Sequence, residues 1–220
     1  MTPDDAQASD RTARCSIAGT GMPVSESNQI YQEIVDALIA MHRLTDGYTP
    51  SHEDRTAELC VAIARQLGLA EDRIDVLHMA AQVHDIGKAR IAQELLNKPG
   101  RITDEEYAVL KTHVQIGYDI LKHISFPFNL AEIVWCHHEY LDGSGYPRGV
   151  SAGAIPLESR ILTVSDIVES ISADRPYRKS LGMQVALDEI RRLRGTRLDP
   201  VVVDACLQVI EQKLWHEHAA

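Results

Sequence analysis

The chain has 220 residues, 45% of them hydrophobic and only 5% aromatic, with a formal net charge of −10. That length allows one sizeable core and not two. The acidic balance argues against a nucleic-acid polymer as partner, but it leaves room for a small anion because bound divalent cations can invert a local field. No apolar run approaches the ~18–20 residues that cross a bilayer, and "MTPDDAQASDRTARC" lacks the basic-then-apolar order of a signal peptide. A cytoplasmic location without membrane association is therefore expected. The four cysteines, Cys15, Cys60, Cys136 and Cys206, show no paired spacing, which speaks against a disulfide framework or a thiolate zinc site.

Residues 1–26 are polar and aperiodic and read as a disordered tail or a cloning remnant. From Asn28, the apolar positions Ile30, Ile34, Leu38 and Met41 repeat at helical spacing, which predicts a helix over 27–47 that "TDGYTP" breaks at Gly47 and Pro50. A second helix is predicted over 51–67 with Cys60, Ile63, Ala64 and Leu67 inward and Gly68 at its end. A third covers 72–86 and stops at Gly87. "TDEE" at Thr103–Glu106 fits a capping box that opens a helix to about His123. Further helices are predicted over 129–140, from Pro156 at a first turn, over 183–194 and over 199–214. No segment alternates with period two for long, so the fold class is all-α: one helical bundle without internal repeats.

Ten histidines are present, and their placement matters more than their number. His52 opens the second helix, His84-Asp85 closes the third, His113 lies in the fourth, His137-His138 ends the fifth, and Asp166 sits in the sixth. A lone histidine is more often an ordinary polar residue than a ligand. Two adjacent pairs shift that balance, because helical neighbours point about 100° apart, which is awkward for packing but suits ligands that grip neighbouring ions. Imidazole with carboxylate is a ligand set for Fe, Mn or Zn, and an aspartate can bridge two cations. The lack of a cysteine ligand pattern favours an open, catalytic centre over a structural one.

"HDIGK" at 84–88 and "HHEYLDGSGYP" at 137–147, together with "LLNKPGRITDEEYAVLKTHVQIG", "ILTVSDIVESISADRPYRKSL" and "GTRLDP", resemble the HD-GYP family, a branch of the HD metal-dependent phosphohydrolases. The likeness covers about 48–210 and assigns 48–214 to the domain. The resemblance implies a helical bundle with a metal centre in its core and hydrolysis of cyclic di-GMP to linear pGpG or to GMP. It implies two or three metal ions, commonly iron or manganese. Position by position, His52, His84, Asp85 and Asp166 resemble the ligands of one metal, and His113, His137 and His138 those of a second, with Asp85 bridging. Lys88, Arg175 and Arg178 match the phosphate-contacting cations, and Tyr146 the residue that packs against a guanine. Asp85 and Lys88 are the candidate catalytic residues. The "DGSG" segment would let the loop bend over the pocket; the alternative is a surface turn with Tyr146 folded into the core.

Two positions depart from the family pattern. Members with three metals carry a Glu four residues before the first histidine ligand, where this chain has Tyr48, whose phenol is neutral at pH 7. Asp46 is a candidate substitute, but two divalent ions are expected. Glu169 stands where Asp is usual and either reaches the site or only solvent. His42, His78, His123, His216 and His218 match no motif. Glu139 reads as an imidazole-orienting acid or as a solvated helix-end acid, Asp142 as a turn former, and "RRLRGTR" as a solvated helix face. No side chain is identified as the general acid. The rival readings are a non-catalytic cyclic di-GMP receptor or interaction module, and a hydrolase for another cyclic dinucleotide. A diguanylate cyclase or other signalling protein is a further candidate partner. A degenerate receptor would be expected to lose ligands, and none of the seven positions has.

Overall fold

The computed structural model describes residues 24–45, 51–126, 128–174 and 179–215. Among them no strand occurs, only an isolated bridge between Arg194 and Leu198. The helices are α1 (Val24–Thr45), α2 (Ser51–Gln66), α3 (Glu71–Val83), α4 (Gln93–Leu96), α5 (Asp104–Leu121), α6 (Leu130–Trp135), α7 (Leu157–Ser172), α8 (Met183–Leu193) and α9 (Pro200–Glu211). Short 3-10 turns span Ile86–Arg90 and Ala152–Ala154. No described helix is long and apolar enough to cross a membrane.

Local chemistry sets several of these boundaries. Gly68 takes φ +72°, and the Gly68 and Leu69 amides donate to the Arg65 and Ala64 carbonyls at 3.0 Å each, closing the last turn of α2. Thr103 Oγ1 accepts from the Glu106 amide at 3.3 Å while Glu106 Oε2 accepts from the Thr103 amide at 2.8 Å, which is the capping box predicted for α5. Asp199 caps α9 by accepting from the Val201 amide at 2.9 Å, ahead of Pro200.

At the centre, α2 packs on α3, α7 and α9, and α7 packs also on α8 and α9. Cys60, Ile63 and Ala64 of α2 meet a core that includes Ile161, Leu162, Val164 and Val168 of α7, all fully buried. Each large aliphatic side chain hidden this way contributes about 1.5–3 kcal/mol. The two helices thus form a rigid floor, and His52 and Asp166 stand on it.

The differences from the predicted elements cluster near the site. α3 ends at Val83 instead of 86, and α6 ends at Trp135 instead of 140. Both helices stop just before an adjacent pair of candidate ligands. α1 begins at Val24, inside the segment read as a tail, and Pro156 is the cap preceding α7. The rest of the predicted tail, with Asp46, Gly47, Tyr48 and Pro50, lies outside the described residues.

Candidate metal centre

Five elements bring the seven predicted ligands together. His52 sits in the first turn of α2, and His84 and Asp85 at the break after α3. His113 is on α5, His137 and His138 follow α6, and Asp166 is on α7. The break after α3 lies close to α5 because Gly87 has no side chain. A Cβ there would fall 1.9 Å from the His113 carbonyl oxygen.

The hydrogen bonds fix which ring nitrogen faces the centre. Nδ1 of His84, His113 and His137 lies 2.7, 2.7 and 2.6 Å from the carbonyl three residues earlier: Ala81, Leu110 and Val134 respectively. A carbonyl only accepts, so each Nδ1 carries a proton and Nε2 is the nitrogen left to face the cluster. Nδ1 of His52 donates to the Glu169 carboxylate instead. In all four rings Nε2 is buried and has no hydrogen-bond partner. Unpartnered buried nitrogens are costly, and four of them converging fit a set of cation ligands.

The carboxylates complete two groups. His52, His84 and Asp85 bring one ligand atom each to within 4.8 Å of one another, and His113, His137 and His138 do the same. Asp85 lies between the groups. Its Oδ2 is 3.8 Å from His52 Nε2 and 3.4 Å from His84 Nε2, while its Oδ1 is 3.3 Å from His113 Nε2. One oxygen thus faces each group, the placement a bridging carboxylate requires. Asp166 Oδ1, 3.4 Å from His52 Nε2 and 3.9 Å from His84 Nε2, joins the first group.

The two groups differ in charge. Burial opposes the imidazolium of His84, but Asp85 and Asp166 override it and raise the pKa to about 9. His52 is also raised, with Asp166 and Glu169 outweighing burial. Asp85 and Asp166 are held well below the carboxylate range, despite burial, chiefly by Lys88 and His84 for Asp85 and by His52 and His84 for Asp166. In the all-histidine group, burial lowers His113 and His137, and His138 falls to about 3. One group pairs carboxylates with proton-holding imidazoles and the other offers neutral imidazoles. Both are donor sets for divalent cations.

Several supporting residues were not legible as such. Glu169 is 1% exposed; one of its oxygens accepts from His52 Nδ1 and the other from Arg55 Nε at 2.9 Å, so it orients a ligand instead of meeting solvent. Arg55 carries no motif signal. Glu139 serves neither role proposed for it in the sequence. It is 2% exposed, and its Oε1 accepts from the Arg148 and Gly149 amides at 2.8 and 3.1 Å, pinning the loop. Arg148 adds to this by lying 3.9 Å over the Trp135 ring and donating to Glu132 at 2.6 Å. Asp142 shapes the turn as predicted, accepting from the Ser144 amide at 2.9 Å. Gly145 lets the loop cross the chain, because a Cβ there would lie 2.4 Å from the His138 carbonyl oxygen.

Tyr146 is packed beside the centre. Its ring is 4.8 Å from His138 and 6.4 Å from Tyr107, and the Lys111 ammonium lies 5.7 Å from its centroid. Lys88 is ion-paired with Asp85 Oδ2 and 28% exposed in its side chain, at the rim of the cluster. Arg175 and Arg178 lie outside the described residues. Cys60, Cys136 and Cys206 are buried, and burial pushes each thiol up to about 12, so none is a nucleophile at neutral pH.

Known proteins resemble this chain in sequence and in fold. Residues 33–202 match the HD domain family. The chain is 37% identical over 187 residues to the cyclic di-GMP phosphodiesterase response regulator RpfG of Xanthomonas campestris, covering 84% of this chain and 50% of that protein. It is 41% identical over 155 residues to 3′3′-cGAMP-specific phosphodiesterase 3 of Vibrio cholerae, covering 70% of this chain and 33% of that one. The chain therefore spans half or less of the length of these relatives. Its fold superposes on Bd1817, an HDG"Y"P protein from Bdellovibrio bacteriovorus, with a TM-score of 0.63 at 17% identity, covering 86% of this chain and 66% of the other. Helical architecture, histidine–aspartate cluster and sequence match converge: the chain belongs to the HD domain family and is of the HD-GYP type.

Proposed function

We propose that this chain is a metal-dependent phosphodiesterase that hydrolyses cyclic di-GMP to linear pGpG, with GMP as the product of a second cut. The carrying observation is the set of four buried, unpartnered Nε2 atoms around Asp85, with one carboxylate oxygen turned to each ligand group. His52, His84, Asp85 and Asp166 would hold one ion and His113, His137 and His138 the other, iron or manganese, with Asp85 shared. Ions held there supply Lewis acidity toward phosphoryl oxygens and acidify water near neutral pH. The chain's residues do the remainder. Glu169 and the three backbone carbonyls fix the rings so that lone pairs face the cluster. Lys88 stands at the rim, where with Arg175 and Arg178 it would neutralise charge on the non-bridging oxygens as water adds to phosphorus. The P–O3′ ester bond breaks, the leaving oxygen takes up a proton, and the ring opens.

A second substrate reading is favoured by the 41% identity to a 3′3′-cGAMP-specific phosphodiesterase. It keeps the chemistry and exchanges one guanine for adenine. A cytoplasmic location, and a diguanylate cyclase or other signalling protein as partner, belong to the same reading. The test is turnover of cyclic di-GMP and 3′3′-cGAMP by purified protein with Mn²⁺ or anaerobic Fe²⁺, with products separated by chromatography. No turnover at full metal occupancy would leave the receptor reading in its place.

A further inference from the structure

We propose that Tyr107 and Lys111 of α5 form a base-recognition subsite beside the metal centre, and that Lys111 selects guanine over adenine; this rests on the cyclic dinucleotide reading above. The two residues are four apart on one helix, so they share a face. Lys111 Nζ lies 5.1 Å from the Tyr107 centroid and 5.7 Å from that of Tyr146, a cation above two aromatic rings. Among the described residues no carboxylate lies within ion-pair distance of Lys111, in a chain whose net charge is −10. An ammonium left without a carboxylate in so acidic a protein is free to meet a ligand.

The position is also right. Ring-to-ring steps of 4.8 Å from His138 to Tyr146 and 6.4 Å from Tyr146 to Tyr107 place Tyr107 within about 11 Å of a metal-site imidazole. A nucleotide whose phosphate sat at the cluster would carry its base to this distance. Tyr146 is partly buried and engaged by His138, Tyr107 and Lys111, whereas Tyr107 is 46% exposed. Tyr107 therefore adds exposed aromatic surface next to Tyr146, which itself lies against His138. Stacking on a tyrosine tolerates any base, so it supplies affinity without selectivity. Selectivity comes from the ammonium. Guanine presents two acceptors, O6 and N7, along one edge, while adenine presents an amino donor where O6 would be.

The experiment compares the Mn²⁺-loaded 220-residue wild-type chain with Tyr107→Ala, Tyr107→Phe and Lys111→Gln. Substrates are cyclic di-GMP, cyclic di-AMP and bis(p-nitrophenyl) phosphate, a diester without a base. Tyr107→Ala should raise KM for both cyclic dinucleotides by about fivefold to a hundredfold with kcat little changed, and Tyr107→Phe should restore it. Lys111→Gln should lower the preference for cyclic di-GMP over cyclic di-AMP by about fivefold or more. Bis(p-nitrophenyl) phosphate hydrolysis should be unaffected in all three variants. An equal loss on both cyclic dinucleotides in Lys111→Gln would make this lysine a phosphate contact and overturn the selectivity assignment. Unchanged KM in Tyr107→Ala would overturn the platform. A wild type that cleaves bis(p-nitrophenyl) phosphate but neither cyclic dinucleotide would remove the substrate reading and this inference with it.

Discussion

Replacing Gly87 with alanine should break the centre without touching a ligand. A Cβ at this position would fall 1.9 Å from the His113 carbonyl oxygen and 2.8 Å from both the His113 carbonyl carbon and the Gly117 amide nitrogen. All three obstacles are backbone, so no rotamer change relieves them. Moving from 1.9 Å to the 3.0 Å below which Cβ contacts essentially do not occur requires the turn and α5 to separate by about 1.1 Å. The turn carries Asp85 and α5 carries His113, whose Nε2 is now 3.3 Å from Asp85 Oδ1. Metal–ligand distances tolerate only about ±0.2 Å, so a gap of this size takes His113 out of reach of an ion shared with Asp85. Overpacking of this kind costs about 1–3 kcal/mol, which lowers Tm by about 2–12 °C in a chain of this length. Gly117→Ala is the control. Its nearest neighbour would be Val134 Cγ1 at 3.5 Å, an ordinary contact, and alanine gains up to about 1 kcal/mol inside a helix. Thermal melts of the metal-free protein, with elemental analysis after Mn²⁺ loading, separate the two. If Gly87→Ala melts within a degree of wild type and binds the same metal per chain, the close approach is not what builds the site.

Asp85→Ala should abolish turnover and lower metal content in both groups; full metal occupancy in this variant would refute the bridging role. Glu169→Gln keeps the shape but gives His52 Nδ1 a neutral acceptor, and it should weaken Mn²⁺ binding by about 10–100-fold in a chelator competition with the helical circular dichroism unchanged. Unaltered affinity would reduce Glu169 to a partner of Arg55. In metal-free protein, stability should fall as pH drops from 6 to 4.5. His138 titrates at about 3 in the fold against 6.5 unfolded, so over that window the unfolded chain binds the extra proton. This amounts to about 2 kcal/mol for His138 alone, with His137 acting in the same sense, while His84 at about 9 is protonated in both states and adds almost nothing. Urea unfolding at the two pH values reads the sign directly, and equal or greater stability at pH 4.5 would contradict it. Elemental analysis of protein purified anaerobically with metals in excess tests ion number. Two per chain is expected, and three would show that Tyr48 does not exclude a third.

The family and the positions of the candidate ligands were legible because the chemistry is local. Adjacent pairs such as His84-Asp85 and His137-His138 stand out in a linear chain, and so do the Thr103 capping box and Gly68, since each acts within a few residues. The ends of α3 and α6 were not legible. Helical periodicity runs through both, while the chain beyond each end makes close approaches that periodicity does not encode: Gly87 against the His113 carbonyl, and Gly145 against the His138 carbonyl.

The residues that organise the ligands were hidden for the same reason. Glu169 and His52 are 117 positions apart, and Arg55 is 114 from Glu169. Glu139 reads from its place beside His138 as an imidazole partner or a solvated helix-end acid, yet it holds backbone amides nine and ten residues onward. Tyr107 and Lys111 have no role that the sequence singles out, and only the fold brings Tyr146 of a distant loop beside them. Residue type and near-neighbour spacing are written in the sequence, so it determined the helical class and which side chains can bind metal. Three of the rings are set by a carbonyl three residues back, whereas the acid that holds His52, which oxygen of Asp85 faces which group, and what lies beside them depend on packing between α2, α5 and α7 and the turns after α3 and α6, and only the tertiary structure decided them.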